Sequence, residues 1–352
     1  MTKKLLGICI LVSVCVAGFS ACQRGRGADK IEVGIVMKSY QSPYFRALSD
    51  GVENAARELG WAVAVLGSDD DISREAANMD SMIQRKVKLI FLDCIDPNAV
   101  IPAINRAADA GIPVIAIDSG VGAGARVVTT VYSNNVENGR SAGRIYAGLV
   151  GNAPIVSVLL SGAKGNPVGL ERRSGLMAGI IGARLGLSDA QADAAAAEME
   201  RQLVATGRAE NAEAGFVIAG QGWGDWSRIG GQAASEDLIT ANTATLNLVM
   251  AENDEMNLGA RIALVNAGLH RVNLIAAADG SKAAYDLMKT GEAPRYITTG
   301  ENSPVKVGMK AVEIAKQILI DGVPASSFAK VTTTDVFAVV AETVDNHYDY
   351  GF

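Results

Sequence analysis

Short apolar, β-branched runs alternate with amphipathic segments along the chain from residue 31 onward. Residues 31–37 predict a strand. Ser42-Pro43 then marks the start of a helix, because serine caps helix N-termini and proline is favoured in the first turn. The apolar positions behind it recur at helical spacing as far as Gly60. The same alternation predicts strands at residues 61–66, 89–92, 114–117 and 127–131, with helices at 73–85, 97–110 and 135–149.

A second series of the same kind begins at residue 155. Its predicted strands lie at residues 155–160, 216–219, 246–251, 273–277 and 296–298. Strands that alternate with helices favour parallel sheets covered by helices on both faces. About 325 residues follow the N-terminal segment, which is more than one hydrophobic core usually supports. We therefore predict two similar α/β lobes, each a doubly wound parallel sheet.

Residues 183–213 stand apart from this repeat because they are long and alanine-rich. Ser188 and Gln191 have the spacing of a capping box. The apolar stripe behind them predicts an extra helix on the second lobe, and we interpret its role as structural.

The first 22 residues have the layout of a bacterial secretory signal. Lys3 and Lys4 precede an almost wholly apolar run over residues 5–17, and the segment ends in Ser20-Ala21-Cys22. This ending resembles a lipobox, so we predict a lipoprotein signal peptide over residues 1–22 with Cys22 as the lipidated residue. Phe19 stands where leucine is usual, and an uncleaved helical anchor is the alternative. Residues 23–29 are polar and glycine-rich and predict a flexible tether.

Charge and cysteine content exclude several classes of protein. The formal charge of −6 becomes −8 once Lys3 and Lys4 are removed with the signal, and no basic patch offers a nucleic-acid surface. Of the four cysteines, Cys9 and Cys15 lie in the signal and Cys22 is the lipidation site, so Cys94 has no partner for a disulfide. With only two histidines, no cysteine–histidine metal cluster can be written, and we expect no metal or other cofactor.

Polar and aromatic residues follow the predicted strands in both series. In open α/β sheets the carboxyl ends of the strands line the ligand crevice, so these side chains are expected to meet in one cleft. The candidates are Ser42, Tyr44, Phe45, Asp93, Asp118, Arg172, Trp226, Asn253, Asp279 and Asn302.

These residue types suit a sugar. A carboxylate accepts from two hydroxyls, arginine donates a fork, and asparagine does both. The apolar C–H faces of a sugar stack on flat aromatic rings, here Tyr44, Phe45 and Trp226.

Each candidate also has an ordinary structural alternative. Asp118 could cap a turn, Arg172 could pair with Glu171 or Asp254, and Asn253 could cap the next helix. Trp226 and Phe45 could belong to the core.

Three motifs resemble the periplasmic type I sugar-binding proteins of ABC transporters, the ribose, galactose/glucose and xylose group. They are residues 41–45 (Gln-Ser-Pro-Tyr-Phe), residues 111–118 and residues 252–260. The resemblance runs from about residue 31 to 344, apart from the insertion. It implies three chain crossings between the lobes, near residues 130–134, 302–304 and 332–334. It implies sugar contacts at Tyr44, Phe45, Asp118, Arg172, Trp226, Asn253, Asp279 and Asn302.

The sequence departs from this group at three positions. Ribose-type members carry arginine where Ser119 stands, asparagine is usual at Ser42, and an aromatic residue often precedes Asp279, where this chain has Ala278. The identity of the ligand, whether pentose, hexose or polyol, therefore stays open.

Together these observations predict an α/β protein with two doubly wound parallel-sheet lobes joined by a three-crossover hinge. The N-terminal lobe is expected at residues 30–131 plus 303–331, and the C-terminal lobe at residues 132–302 plus 332–346. We expect an exported, lipid-anchored, periplasmic or cell-surface monomer that is not an enzyme. It would bind a monosaccharide by hinge closure and deliver it to the membrane permease of an ABC importer.

Other functions remain as alternatives. A sensor that presents a sugar or furanosyl signal to a chemoreceptor or kinase would share the same features. Asp118 and Asp279 could form the carboxylate pair of a glycoside-acting enzyme. Residues 120–124 match a dinucleotide-binding loop only weakly. A transcriptional regulator would need a DNA-binding segment where the signal lies.

Overall fold

The computed structural model describes residues 31–352. The predicted signal peptide, Cys22 and the tether lie outside these described residues. Within the described range, no helix combines the length and apolarity needed to cross a bilayer.

The elements of the first part of the chain follow the predicted alternation. In order, they are β1 (Glu32–Met37), α1 (Pro43–Glu58), β2 (Ala62–Gly67), α2 (Ile72–Arg85), β3 (Ile90–Asp93), α3 (Ile101–Asp109), β4 (Val114–Ile117), β5 (Thr130–Tyr132) and α4 (Asn135–Val150).

The second part continues the alternation with two additions. Its elements are β6 (Ile155–Ser161), α5 (Pro167–Leu185), α6 (Asp189–Thr206), β7 (Ala209–Asn211), β8 (Phe216–Trp223), α7 (Arg228–Asn242), β9 (Leu248–Ala251), α8 (Asp254–Asn266), β10 (Asn273–Ala276), α9 (Lys282–Thr290) and β11 (Tyr296–Gly300). The last stretch contains α10 (Pro304–Leu319), β12 (Val331–Thr333), β13 (Ala338–Val339) and α11 (Val344–His347), with short 3-10 turns at Ala325–Ser327 and Tyr348–Tyr350.

Two sheets organise these elements. The first has the order β12-β5-β4-β3-β1-β2 and is parallel throughout. The second has the order β13-β11-β10-β9-β6-β8-β7, and only its edge strands β13 and β7 run antiparallel to their neighbours. Each sheet has an apolar core on both faces, which confirms the predicted pair of doubly wound lobes.

The chain passes between the two sheets three times, after β5, after β11 and after β12. The three connections are tied together: the Thr334 amide donates to the Tyr132 carbonyl at 3.1 Å, and the Glu301 amide donates to the Phe337 carbonyl at 2.7 Å. Because β12 pairs with β5, residues 331–333 belong to the first sheet. The lobe boundary expected between residues 331 and 332 falls inside this strand.

Several local boundaries differ from the sequence prediction. Residues 97–100 form a turn, because Asp96 Oδ1 accepts from the amides of Asn98 and Ala99, both at 2.8 Å, and α3 begins only at Ile101. The inserted segment contains the predicted helix as α6, with its Ser188–Gln191 capping box. Its apolar stripe packs into the second-lobe core.

Helices α4 and α5 pack unusually closely. A Cβ atom at Gly139 would lie 2.4 Å from the Arg172 carbonyl oxygen, and one at Gly175 would lie 2.1 Å from the Val136 carbonyl oxygen. Only glycine permits this approach, because real side chains do not come so near a backbone oxygen. The contact holds the start of α5, with Arg172, against the start of α4.

Candidate ligand-binding site

The predicted site residues lie at the carboxyl edges of the two sheets. Asp93 ends β3, Asp118 follows β4, and Ser42, Tyr44 and Phe45 lie at the start of α1. On the second lobe, Trp226 follows β8, Asn253 follows β9 and Asp279 follows β10, while Arg172 lies on α5. Asn302 lies on the second connection between the lobes.

Tyr44 connects the first lobe to this connection. Its hydroxyl donates to Asp118 Oδ1 at 2.8 Å and lies 3.1 Å from Asn302 Oδ1. Burial raises the pKa of Tyr44 well above its ordinary value, and the Asp118 carboxylate raises it further. The phenol therefore keeps its proton and acts as a donor. Its ring meets Phe45 edge-on, with centroids 5.7 Å apart.

Lys38 forms the centre of the first-lobe half of the site. Its Nζ lies 3.2 Å from Asp93 Oδ1, 3.4 Å from Asp118 Oδ2 and 2.8 Å from Ser119 Oγ. It also lies 4.3 Å from the centroid of the Phe45 ring, within cation–π range. Burial alone would lower the pKa of Lys38, but the two carboxylates outweigh it and raise the pKa, so the ammonium stays charged.

The two carboxylates beside Lys38 differ in exposure. The Asp93 side chain is 0% exposed and also accepts from Ser119 Oγ at 2.8 Å, whereas 21% of the Asp118 side chain is exposed. Burial raises the pKa of Asp93 to about 7; Lys38 opposes this shift and Asp118 adds to it. Asp118 thus faces the cleft, and Asp93 acts through Lys38.

Arg172 organises the second-lobe half. Its Nη1 lies 3.1 Å from Asp279 Oδ1, its Nε donates to Asn135 Oδ1 at 3.0 Å, and its guanidinium carbon lies 5.7 Å from the centroid of the Trp226 ring. Asp279 is also within 3.5 Å of Asn302 Nδ2. Since Asn302 meets Tyr44, a single polar network joins the residues of both lobes.

Two backbone conformations at this site are unusual. Asp118 has φ of 61° and Trp226 has φ of 58°, both in the left-handed region. Aspartate tolerates this region, but a bulky residue such as tryptophan rarely adopts it. Residues held in sparsely populated conformations cluster at ligand sites, because the surrounding structure fixes them there.

Some predicted site residues have structural partners that occupy their polar atoms. Ser42 Oγ accepts from the Tyr44 amide at 3.2 Å as the N-cap of α1. Asn253 Oδ1 accepts from the Met256 amide at 3.1 Å as the N-cap of α8, and its Nδ2 donates to the Trp226 carbonyl at 3.1 Å. Asn253 therefore supports Trp226, and its exposed surface is small.

Asp254 holds the loop that carries Asp279. Its Oδ2 accepts from the amides of Gly280 and Ser281 at 2.9 and 2.7 Å, and its Oδ1 accepts from the Tyr296 hydroxyl at 2.7 Å. The alternative pairing of Arg172 with Asp254 is therefore not what the structure shows, since Arg172 pairs with Asp279.

We expect Asp279 to give the stability of the protein a measurable pH dependence. Burial raises its pKa to about 6, although Arg172 lowers it in part. A raised carboxyl pKa stabilises the folded state below the unfolded pKa, and that contribution is lost as pH rises through the folded pKa. Between pH 4 and 7, wild type should therefore lose up to about 3 kcal/mol of unfolding free energy relative to Asp279→Asn.

Urea denaturation at several pH values checks this expectation. Asp237→Asn removes an exposed carboxylate of α7 and is the matched control. Parallel pH curves for wild type and Asp279→Asn would contradict it.

Sequence reasoning did not identify Lys38, Ser119 and Asn135 as site residues. Lys38 directly follows β1, at the same edge where the other candidates were found, and this position was the available signal. Ser119 was noted only as a departure from the ribose group. Ser119 lies beside Lys38, so in this protein the positive charge near Asp118 comes from the residue after β1 and not from position 119.

The alternative cofactor sites find no support in the described part of the chain. Residues 120–124 lie in the loop between β4 and β5 with no helix following, so they lack the strand–loop–helix context of a dinucleotide site. Among residues 31–352, no group of three or more His, Cys, Asp or Glu side chains could hold a metal ion.

Comparison with known proteins identifies a family. The family model for a periplasmic binding protein domain matches residues 33–322 of this chain. The chain is 28% identical over 309 residues to the ribose import binding protein of Escherichia coli strain K12, covering 87% of this chain and 90% of that protein. It is 26% identical over 323 residues to a D-apiose import binding protein of Actinobacillus succinogenes, covering 86% and 92%.

A solved structure supports the same fold. An ABC transporter periplasmic solute binding protein of Actinobacillus succinogenes 130z, with bound D-allose, gives a TM-score of 0.71 at 24% identity. The match covers 90% of this chain and 100% of that one.

The family match spans most of the chain, and its members bind substrates for transport rather than transform them. This confirms the resemblance, the fold class and the expectation that the protein is not an enzyme. The chain belongs to the periplasmic binding protein family.

Proposed function

We propose that this protein is the sugar-binding component of an ABC importer, and that it binds a monosaccharide between its two lobes. The observation that carries the proposal is the polar network that runs from Asp118 through Tyr44, Asn302 and Asp279 to Arg172. It combines acceptors and donors from both lobes, and the Trp226 ring lies beside Arg172 at its second-lobe end.

The charges of the network favour a neutral polyhydroxyl ligand. Above pH 7 the carboxylates of Asp93, Asp118 and Asp279 outnumber the cations of Lys38 and Arg172, which are already paired with them. An anionic ligand would meet uncompensated carboxylates, whereas a sugar hydroxyl can donate to Asp118 or Asp279 and accept from Tyr44 or Arg172.

The aromatic rings complete the argument. Trp226 belongs to the second lobe, and Tyr44 and Phe45 belong to the first. Ring faces that line a cleft suit the C–H faces of a sugar. Relatives named for ribose and D-apiose import support the same ligand class. Ser119 in place of the arginine of ribose-type members keeps both pentoses and hexoses in the proposal.

The proposed mechanism is hinge closure around the sugar. Both lobes contribute ligand contacts, so a bound sugar selects the closed arrangement. The closed form would then dock on the membrane permease. Family membership implies export to the periplasm. We further propose that Cys22 is lipidated and anchors the protein to the membrane; a Cys22→Ser variant that stays in the membrane fraction would contradict this.

A thermal-shift screen tests the ligand class. The panel contains D-ribose, D-apiose, L-arabinose, D-allose and D-galactose, with sorbitol and free amino acids for comparison. A ligand present at about 100 times its Kd should stabilise the protein by about 2.7 kcal/mol and raise its melting temperature clearly. A shift with amino acids and none with any sugar would overturn the proposal.

A further inference from the structure

Two successive ion pairs link the inserted helix α6 to Glu252, which lies beside the second-lobe half of the candidate site. Glu200 on α6 accepts from Arg173 Nε at 2.8 Å and from Arg173 Nη2 at 2.6 Å. The remaining nitrogen of Arg173, Nη1, donates to Glu252 Oε1 at 3.0 Å. The exposed fraction of the side chain decreases from 17% for Glu200 to 10% for Arg173 and 0% for Glu252.

Glu252 also contacts the surroundings of Trp226 and Arg172, the two second-lobe residues proposed to contact the sugar. Its Oε2 accepts from the Gly162 amide at 2.8 Å, and its backbone carbonyl accepts from Arg172 Nη1 at 3.3 Å. Gly162 lies against Trp226: a Cβ atom there would come within 2.0 Å of the indole ring. The position of the Glu252 carboxylate therefore fixes the backbone on which Trp226 packs.

We infer that Arg173 and Glu200 are positioning residues for the sugar, because they hold Glu252 on the Gly162 amide and so set the place of the Trp226 ring. This inference rests on the proposed function for its effect on sugar affinity. It gives the inserted helix α6 a role at the site that its apolar stripe alone does not suggest.

The physical reason is the cost of leaving a buried charge without a partner. A fully buried carboxylate with one amide donor is poorly compensated, so Arg173 is needed to keep Glu252 in place. Glu200 in turn satisfies two of the three guanidinium nitrogens of Arg173. Without the Glu200 carboxylate, the Arg173 guanidinium would turn toward solvent, because Glu200 is the most exposed of the three paired side chains.

The first test uses tryptophan indole signals and needs no ligand. The protein is labelled with 15N-tryptophan, and the signals of Trp61, Trp223 and Trp226 are assigned with Trp→Phe variants. Glu200→Gln should shift the Trp226 signal and leave that of Trp61, in the other lobe, unchanged. Arg173→Lys, which keeps the charge but loses the fork, should shift the same signal.

The matched control is Glu198→Gln on the same helix. Glu198 is exposed and pairs with Arg201, so its replacement should leave all three indole signals in place. An unchanged Trp226 signal in both Glu200→Gln and Arg173→Lys would overturn the inference, whether or not a sugar binds.

The second test measures sugar affinity by calorimetry, with the panel sugar that gives the largest thermal shift. Glu200→Gln should weaken binding by about threefold to tenfold in the wild-type background and by less than about twofold in a Trp226→Phe background. A purely structural role would lower the melting temperature and leave the Kd of the folded protein unchanged, which would contradict the inference. If no sugar binds at all, the proposed function fails and the indole signals still decide the positioning role.

Discussion

Replacing Lys38 with methionine should lower the free energy of unfolding by about 2–3 kcal/mol at pH 9, because the buried Asp93 carboxyl, whose pKa is about 7 beside Lys38, must then take up a proton or stay charged without its partner. The Lys38 ammonium is the cation that lies between Asp93 and Asp118, and Asp93 is fully buried. The methionine side chain has a similar length and apolar volume, so the lost interaction is electrostatic. Urea denaturation followed by circular dichroism measures the effect.

The size of this loss should depend on pH. The pKa of Asp93 is already raised to about 7, and protonation removes the charge that lacks a partner. The difference between wild type and Lys38→Met should therefore shrink as pH falls from 9 to 7 and stay level below 7. Adding Asp93→Asn to Lys38→Met should recover much of the stability at pH 9.

The matched control for Lys38 is Lys310→Met. Lys310 forms an exposed pair with Glu313 at 3.0 Å, and such surface pairs contribute at most about 1 kcal/mol. An equal loss of stability in Lys38→Met and Lys310→Met would show that the buried Lys38 pairs contribute no more to the free energy of unfolding than an exposed pair does.

Arg172→Ala should weaken sugar binding by about 100-fold or more, equivalent to about 3 kcal/mol. The substitution removes a donor fork from the cleft, the cation paired with Asp279 and the flat group beside Trp226. Without Arg172, the pKa of Asp279 should rise further above its present value of about 6, so the carboxyl loses acceptor strength near neutral pH. Calorimetric titration with the best panel sugar measures the loss.

Two further variants make this result specific. Arg172→Lys keeps the charge but loses the planar fork, so its affinity should lie between wild type and Arg172→Ala. Arg144→Ala removes an exposed arginine of α4 and should leave the Kd unchanged. If the folded Arg172→Ala protein binds within about threefold of wild type, Arg172 is not a sugar contact.

The fold could be predicted from the sequence because each major element carries its own signal. Buried strands such as β3 and β4 are continuous apolar runs, and α1 and α6 start at recognisable caps. The strands that were not predicted, β7, β12 and β13, have only two or three residues. Such short segments show no hydrophobic periodicity, so only their pairing with a neighbouring strand in the folded sheet identifies them as strands.

The site could be predicted in outline but not in its pairings. The carboxyl-edge rule selected Tyr44, Asp118, Arg172, Asp279 and Asn302, which the structure places in one network. The same rule did not select Lys38, because a lysine after a strand is usually solvated. Its significance depends on Asp93 and Asp118, which are distant in sequence and adjacent only in the folded sheet.

The close packing of α4 and α5 restricts how this cleft can evolve. A side chain at Gly139 or Gly175 would push the two helices apart and carry Arg172 away from Asn135 and Asp279. Residues at the strand ends can be exchanged one at a time without such a shift. New ligand preferences can therefore arise by substitution at the cleft surface, while the two glycines keep the helical wall behind it constant from one descendant sequence to the next.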